Sequence, residues 1–331
     1  MRLPAFGLTL VLALTGLSVP GSVDAQPPTK VVRIGTLLPP ARPTAPDWKE
    51  RWALAKALRE LGWVEGKNLA IEDRWAEGKT ERFPALAAEL VGLKVDVIVT
   101  VSWPAAVAAK NATATIPVVI VGAGDPVGTG LVKSLARPGG NVTGLGDLDT
   151  ELSAKRLELL KEAVPKLSRV AVLWNAGDSG MTLRMRAIQA ASRPLGVTVR
   201  PLGVHSVEDF EVAFTAMTQE RPDALFVVAD PLVGTNRKRI LDFTARHRLP
   251  AMFELRLYAV DGGLMAYGPN QDGRLRQAAA FVDKIPKGAR PADLPVEQPM
   301  RFELVLNLRT AKALGLDLPQ SILIRADEVM R

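Results

Sequence analysis

A chain in which β-branched runs alternate with amphipathic helical stretches has few folds open to it. This 331-residue chain keeps that alternation along most of its length. Val31 to Leu37 reads as a strand, and apolar residues at Trp48, Trp52, Leu54, Ala55, Leu58 and Leu61 predict a helix over 48–61, stopped by Gly62. Strands are predicted at 69–71, 95–101 and 116–121, with helices over 83–91 and 105–111 between them. After Pro138-Gly139-Gly140 the rhythm restarts. Helices are predicted over 152–164, 181–195, 207–219, 237–247 and 277–285, and strands at 170–174, 197–199, 224–229, 251–253 and 263–267. Runs such as Val95 to Val101 are apolar at nearly every position, which suits strands covered on both faces. Strand–helix–strand repetition with right-handed crossovers builds doubly wound parallel sheets of the Rossmann-like kind. Two successive sets predict an α/β protein of two lobes.

The first 25 residues point to a compartment. Met1-Arg2 carries one positive charge, Ala5 to Val19 is mostly apolar, Pro20-Gly21 breaks the run, and Val23 and Ala25 place small residues at −3 and −1. That is the pattern of a secretory signal cleaved after Ala25. At about 15 residues the apolar run is shorter than the ~20 that span a bilayer. The chain after cleavage is expected in the periplasm, not membrane-inserted and monomeric. The chain has no cysteine, so a lipoprotein anchor, thiol nucleophiles and Cys-type metal sites are excluded together. Its 42 lysines and arginines against 35 aspartates and glutamates give a net charge of +7. These charges are dispersed, and the densest cluster, Arg237-Lys238-Arg239, has Asp242 beside it. That is a basic solvated surface rather than a nucleic-acid footprint.

The catalytic inventory is thin. The two histidines, His205 and His247, stand in no metal-type spacing, and neither a nucleophile elbow nor a P-loop occurs. Gly122-Ala123-Gly124 begins like a dinucleotide fingerprint, but Val127 stands where its third glycine would be. No cofactor is implied. The informative positions are the C-terminal ends of strands, where open α/β sheets hold ligands. Ser102-Trp103-Pro104 leads from a strand into a helix. Ser102 Oγ and the Ala105 amide can meet an anion there, and Trp103 either stacks on a ligand or packs against its own loop. Asp125 and Asp230 each precede a proline at a strand end, as acceptors for a ligand ammonium or as caps for local amides. Asn175 follows another strand, and Tyr267 closes a further one, in the cleft or in the core.

Several strings in order resemble one family: Gly62 to Leu69, Thr115-Ile116-Pro117-Val118-Val119, Asp125-Pro126-Val127, Leu135 to Gly144, Gly262 to Pro269 and Lys287 to Pro299. They are similar to the tryptophan/tyrosine-type ABC transporter substrate-binding proteins, and the resemblance covers essentially the whole chain after residue 25. It implies a type I periplasmic binding fold, with two lobes joined by a three-crossing hinge. Lobe one would comprise 30–146 plus 264–291 and lobe two 147–263 plus 292–331, with the ligand in the cleft between. It implies a receptor that closes on a small carboxylated solute and hands it to an ABC permease. A receptor docking on a membrane sensor is the alternative, and a periplasmic enzyme a more distant one. In this reading Ser102 and the Ala105 amide hold a carboxylate, while Asp230, Asp125 and Asn175 face an ammonium. Relatives carry a small residue where this chain has Trp103.

Overall fold

The apolar runs pair into two sheets in the computed structural model, which describes residues 31–45, 47–48 and 52–331. Residues Val31–Arg331 form one compact unit. The expected signal segment lies outside the described residues, as does part of the helix predicted from Trp48, which is described from Ala53 to Glu60.

The first sheet holds β1 (Val32–Leu38), β2 (Leu69–Trp75), β3 (Val97–Val101), β4 (Val118–Val121) and β5 (Val142–Leu145), all parallel, in the order β2-β1-β3-β4-β5. The second holds β6 (Arg169–Asn175), β7 (Thr198–Val204), β8 (Ala224–Val227), β9 (Ala251–Phe253), β10 (Met265–Pro269), β11 (Phe302–Asn307) and β12 (Glu328–Met330). Its order is β12-β11-β10-β9-β8-β6-β7, so β7-β6-β8-β9-β10 repeats the winding of the first sheet. β11 and β12 depart from the parallel rule in this sheet, β11 running antiparallel to β10 and β12 parallel to β11. This is the two-lobed, doubly wound α/β architecture that the alternation predicts.

Burial explains why the strands read as they do. In β6, Val170 and Val172 enter one apolar cluster while Ala171 and Leu173 enter another. In β3, Ile98 joins one cluster and Val97 and Val99 its counterpart on the opposite face. Successive side chains point to opposite faces of a strand, so helices must cover both sides and no polar alternation is tolerated. The edge strand β7 is exposed over much of its length and buries only Leu202 and Val204. Helix Ala53–Glu60 buries Ala53, Leu54, Ala57 and Leu58 as one stripe, packed against helix Gln271–Lys284. Among the described residues no helix is long and apolar enough to cross a membrane.

Hydrogen bonding revises the expected chain crossings. The strand predicted at 263–267, which the expected bounds put in lobe one from residue 264, is β10, and it pairs with β9 and β11 inside the second sheet. The chain therefore returns to the first lobe only at Asn270, where helix Gln271–Lys284 packs on β4 and β5. Crossing at 261–264 would break β10 from both neighbours and leave its backbone groups unpaired. The third crossing is also later than expected. Val296 N donates to Leu135 O at 2.7 Å and Glu297 N to Gly144 O at 2.9 Å, so the chain is still bonded to the first lobe at Glu297.

Candidate functional site

The C-terminal ends of both sheets face one another across a cavity of about 510 Å³. The first lobe contributes Pro39-Pro40 beyond β1, Val101-Ser102 at the end of β3 and Val121-Gly122 at the end of β4. The second contributes Ala229 to Pro231 beyond β8 and Glu254-Leu255 beyond β9. The lobes touch at the rim. A Cβ on Gly78 of the first lobe would stand 2.2 Å from Thr235 Oγ1, and Thr235 lines the cavity from the second.

A buried ionic lattice floors the cavity. Arg184, on helix Ser179–Ser192, donates through Nη1 to Glu254 Oε2 at 2.7 Å and through Nη2 to Asp147 Oδ2 at 3.0 Å, with Asp149 Oδ2 at 3.2 Å. Arg156, on helix Asp149–Ala163, donates to Asp149 Oδ1, to Glu254 Oε1 at 2.9 Å and through Nε to the Tyr267 carbonyl at 2.6 Å. Asp149 and Arg156 are two helical turns apart and so share one face. Glu254 also accepts from Ala229 N at 3.0 Å, and Asp147 from Gly124 N at 2.9 Å. Burial on its own would raise the Asp149 pKa, but Arg184, Arg156 and Arg274 together outweigh it and hold the carboxyl far below its usual range. Buried charges persist only when paired in this way.

Arg274 differs from the other two arginines. It is 5% exposed, lines the cavity from helix Gln271–Lys284, and forms no ion pair among the described residues. Its Nε is buried without a hydrogen-bond partner. The guanidinium rests directly on Gly122, where a Cβ would lie 1.2 Å from Nη2. Ser102 adds a second unsatisfied polar atom, since its buried Oγ has no partner. Its backbone sits at φ 88°, a sparsely populated region for a non-glycine residue and one that concentrates at ligand sites. Among the described residues no cation pairs with Asp230. Its Oδ1 accepts from Val233 N at 2.7 Å and its Oδ2 from Asn175 Nδ2. Burial pushes its pKa up to about 6 against those two donors.

The seven residues expected at the site therefore separate. Ser102 and Asp230 line the cavity. Ala105 is fully buried in the core of the first lobe, and Trp103 packs against the same cluster. Asp125 turns back to accept from Val127 N and Gly128 N at 3.1 and 2.9 Å. Asn175 is committed to Asp230 and to Gly177 N, and Tyr267 packs against the second-lobe core and Phe302. None of these five lines the cavity. Asp149 and Arg156 share one helix face, but the partners of Arg184, Asp147 and Glu254 lie on different elements, so the lattice carries no local sequence signal as a whole. Among the described residues no group of three or more His, Asp or Glu is placed to hold a metal ion.

A family model described as ABC transporter substrate binding protein matches residues 48–330. The chain belongs to this family. Among curated proteins, this ABC transporter substrate-binding protein is 28% identical over 269 residues to a tyrosine-binding protein of Clostridioides difficile, covering 81% of this chain and 77% of the relative. Among solved structures it resembles an ABC domain from Streptococcus pneumonia in complex with L-Trp, with a TM-score of 0.83, 25% identity, 91% of this chain and 100% of the other covered. It also resembles the ligand-free, open structure of a substrate binding protein with adhesive properties from Clostridium difficile. There the TM-score is 0.63 at 26% identity, over 91% of this chain and 99% of the other. Members of the family are binding proteins rather than enzymes.

Proposed function

We propose that this substrate-binding protein is an extracytoplasmic receptor. It closes its two lobes on a small carboxylated solute, an amino acid or an aromatic or organic acid, and delivers it to the permease of an ABC importer. One observation carries the reading: a buried guanidinium, Arg274, lines the inter-lobe cavity and forms no ion pair among the described residues, while the neighbouring Arg156 and Arg184 are each paired with carboxylates. Ser102 Oγ offers a second group for the same carboxylate. Asp230, paired with no cation among the described residues, suits a ligand ammonium, so the site accepts a zwitterion without net charge transfer into the cavity. The relatives' tyrosine and L-Trp support a ligand of this class. At nearly equal identity the chain superposes better on the L-Trp complex than on the open relative, in keeping with the lobe contact between Gly78 and Thr235. Export by the N-terminal signal and a monomeric state in the periplasm complete the proposal.

The test is calorimetric titration with L-tryptophan and L-tyrosine, backed by thermal melts. Ligand at 100 Kd adds about 2.7 kcal/mol and raises Tm. Arg274→Ala is expected to weaken binding by about 1.5–3 kcal/mol and Ser102→Ala by about 1 kcal/mol, as for lost charge-assisted and neutral hydrogen bonds. Wild-type affinity in Arg274→Ala would move the carboxylate elsewhere.

A further inference from the structure

Beside the polar cavity lies a second void of about 450 Å³. The two share Pro39, Pro40, Val101, Val121 and Gln271 in their walls, so they adjoin. The second is walled by three half-buried tryptophans, Trp48, Trp52 and Trp75, and every described residue lining it comes from the first lobe. Trp48 meets Trp52 at 5.8 Å between ring centroids and Trp75 at 5.3 Å, edge-on. Trp52 leans on the core beneath it, whereas Trp75 belongs to none of the apolar clusters among the described residues. The Trp75 Nε1–H is buried and has no partner. Trp103 and Trp174 also lack a partner at Nε1, but both pack against apolar clusters, whereas Trp75 packs against none and faces the void. A concave wall of half-wetted indoles is costly to maintain unless something apolar covers it.

One helix start connects the voids. Gln271 lines both, Arg274 lines the polar one, and the next residue, Leu275, lines the tryptophan one. An anion at Arg274 is thus placed at the mouth of the apolar void. Each void alone is of a size that encloses a small ligand, roughly 300–1,000 Å³. A free amino acid would occupy one and leave the other uncovered.

We infer that the ligand is an amphipathic carboxylate longer than a free amino acid, with its carboxylate at Arg274 and an aryl or acyl tail in the void walled by Trp48, Trp52 and Trp75. This rests on the binding function proposed above and adds the tail and its seat. Both grips lie on the first lobe, so the ligand is held there before the second lobe closes over its head.

The experiment titrates the purified full chain with butanoate, decanoate, 4-phenylbutanoate, indole-3-butanoate and L-tryptophan. Affinity is expected to rise about fourfold for each methylene buried beyond butanoate, and indole-3-butanoate to bind at least tenfold more tightly than L-tryptophan. Trp75→Ala and Trp52→Ala should each weaken the long probes tenfold or more and leave butanoate within twofold. Trp75→Phe serves if the alanine variant fails to fold, with a smaller loss confined to the long probes. A stronger response to indole-3-butanoate than to decanoate assigns an aryl tail, and the reverse an acyl tail. L-tryptophan binding as tightly as every long probe, or long-probe affinity indifferent to Trp52 and Trp75, overturns the inference and leaves the binding function standing. Silence from all five probes overturns both.

Discussion

Gly122 offers the sharpest test of the anion seat, because a neighbouring glycine supplies its control. Gly122 and Gly124 have nearly the same backbone, φ 69° and φ 67°, a left-handed region that costs an L-residue about 1–2 kcal/mol. Alanine at either position should therefore lower unfolding free energy by a similar ~1–2 kcal/mol. Their surroundings differ. A Cβ at Gly124 meets nothing within 4 Å, while at Gly122 it would sit 1.2 Å from Arg274 Nη2 and 2.4 Å from Cζ. The guanidinium must then move by about 2 Å to restore contact at about 3.5 Å. It lines the cavity, so displacement into that space costs little stability but removes the donor geometry from the carboxylate. Losing a charge-assisted interaction of about 1.5–3 kcal/mol corresponds to roughly 10- to 150-fold in Kd. Urea denaturation measures the shared backbone penalty, and titration with L-tryptophan and indole-3-butanoate measures the difference. Equal binding by Gly122→Ala and Gly124→Ala would refute Arg274 as the carboxylate seat.

Two other perturbations address the charges around it. Arg184→Ala leaves Asp147, Asp149 and Glu254 short of their shared cation and should cost about 3–5 kcal/mol in urea denaturation. Lysine should not rescue it, since Glu254 and Asp147 are bonded by separate nitrogens of one planar fork. Asp230 titrates near pH 6 in the folded protein against a reference of 3.8. The native state therefore holds the proton more tightly than the unfolded chain. The stability this group contributes is complete below about pH 4 and is lost as pH rises through 6, by up to about 3 kcal/mol before solvent screening in the cavity. Relative to Asp230→Asn, the wild type should lose stability between pH 4.5 and 7.5, and parallel pH profiles would contradict the burial argument.

Much of the architecture was legible because it is written in short-range patterns. Val95 to Val101 and Ala224 to Ala229 are apolar at nearly every position, which only strands covered on both faces require. Strand ends carrying Ser102 and Asp230 were found by the general rule for open sheets, and both line the cavity. The same rule proposed Asp125 and Asn175, and there a local amide was the better partner. Trp103 and Ala105 continue an apolar helix whose inner face the core claimed. The lobe of β10 is not legible in sequence, because a strand's period tells which faces it buries but not which neighbour bonds it.

The chain's own periodicity thus determined two doubly wound sheets, their covered faces and the ends at which a ligand could enter. Only the tertiary structure decided which charges cancel and which do not. Arg156 and Glu254 are 98 residues apart and Arg184 and Asp147 are 37, while Arg274 arrives on a helix from the far side of a crossing. Hydrophobic period acts over one or two turns and survives in sequence. Charge compensation in a buried site depends on distances between elements that exist only after the lobes have formed, so the unpaired guanidinium that marks the site could be seen only there.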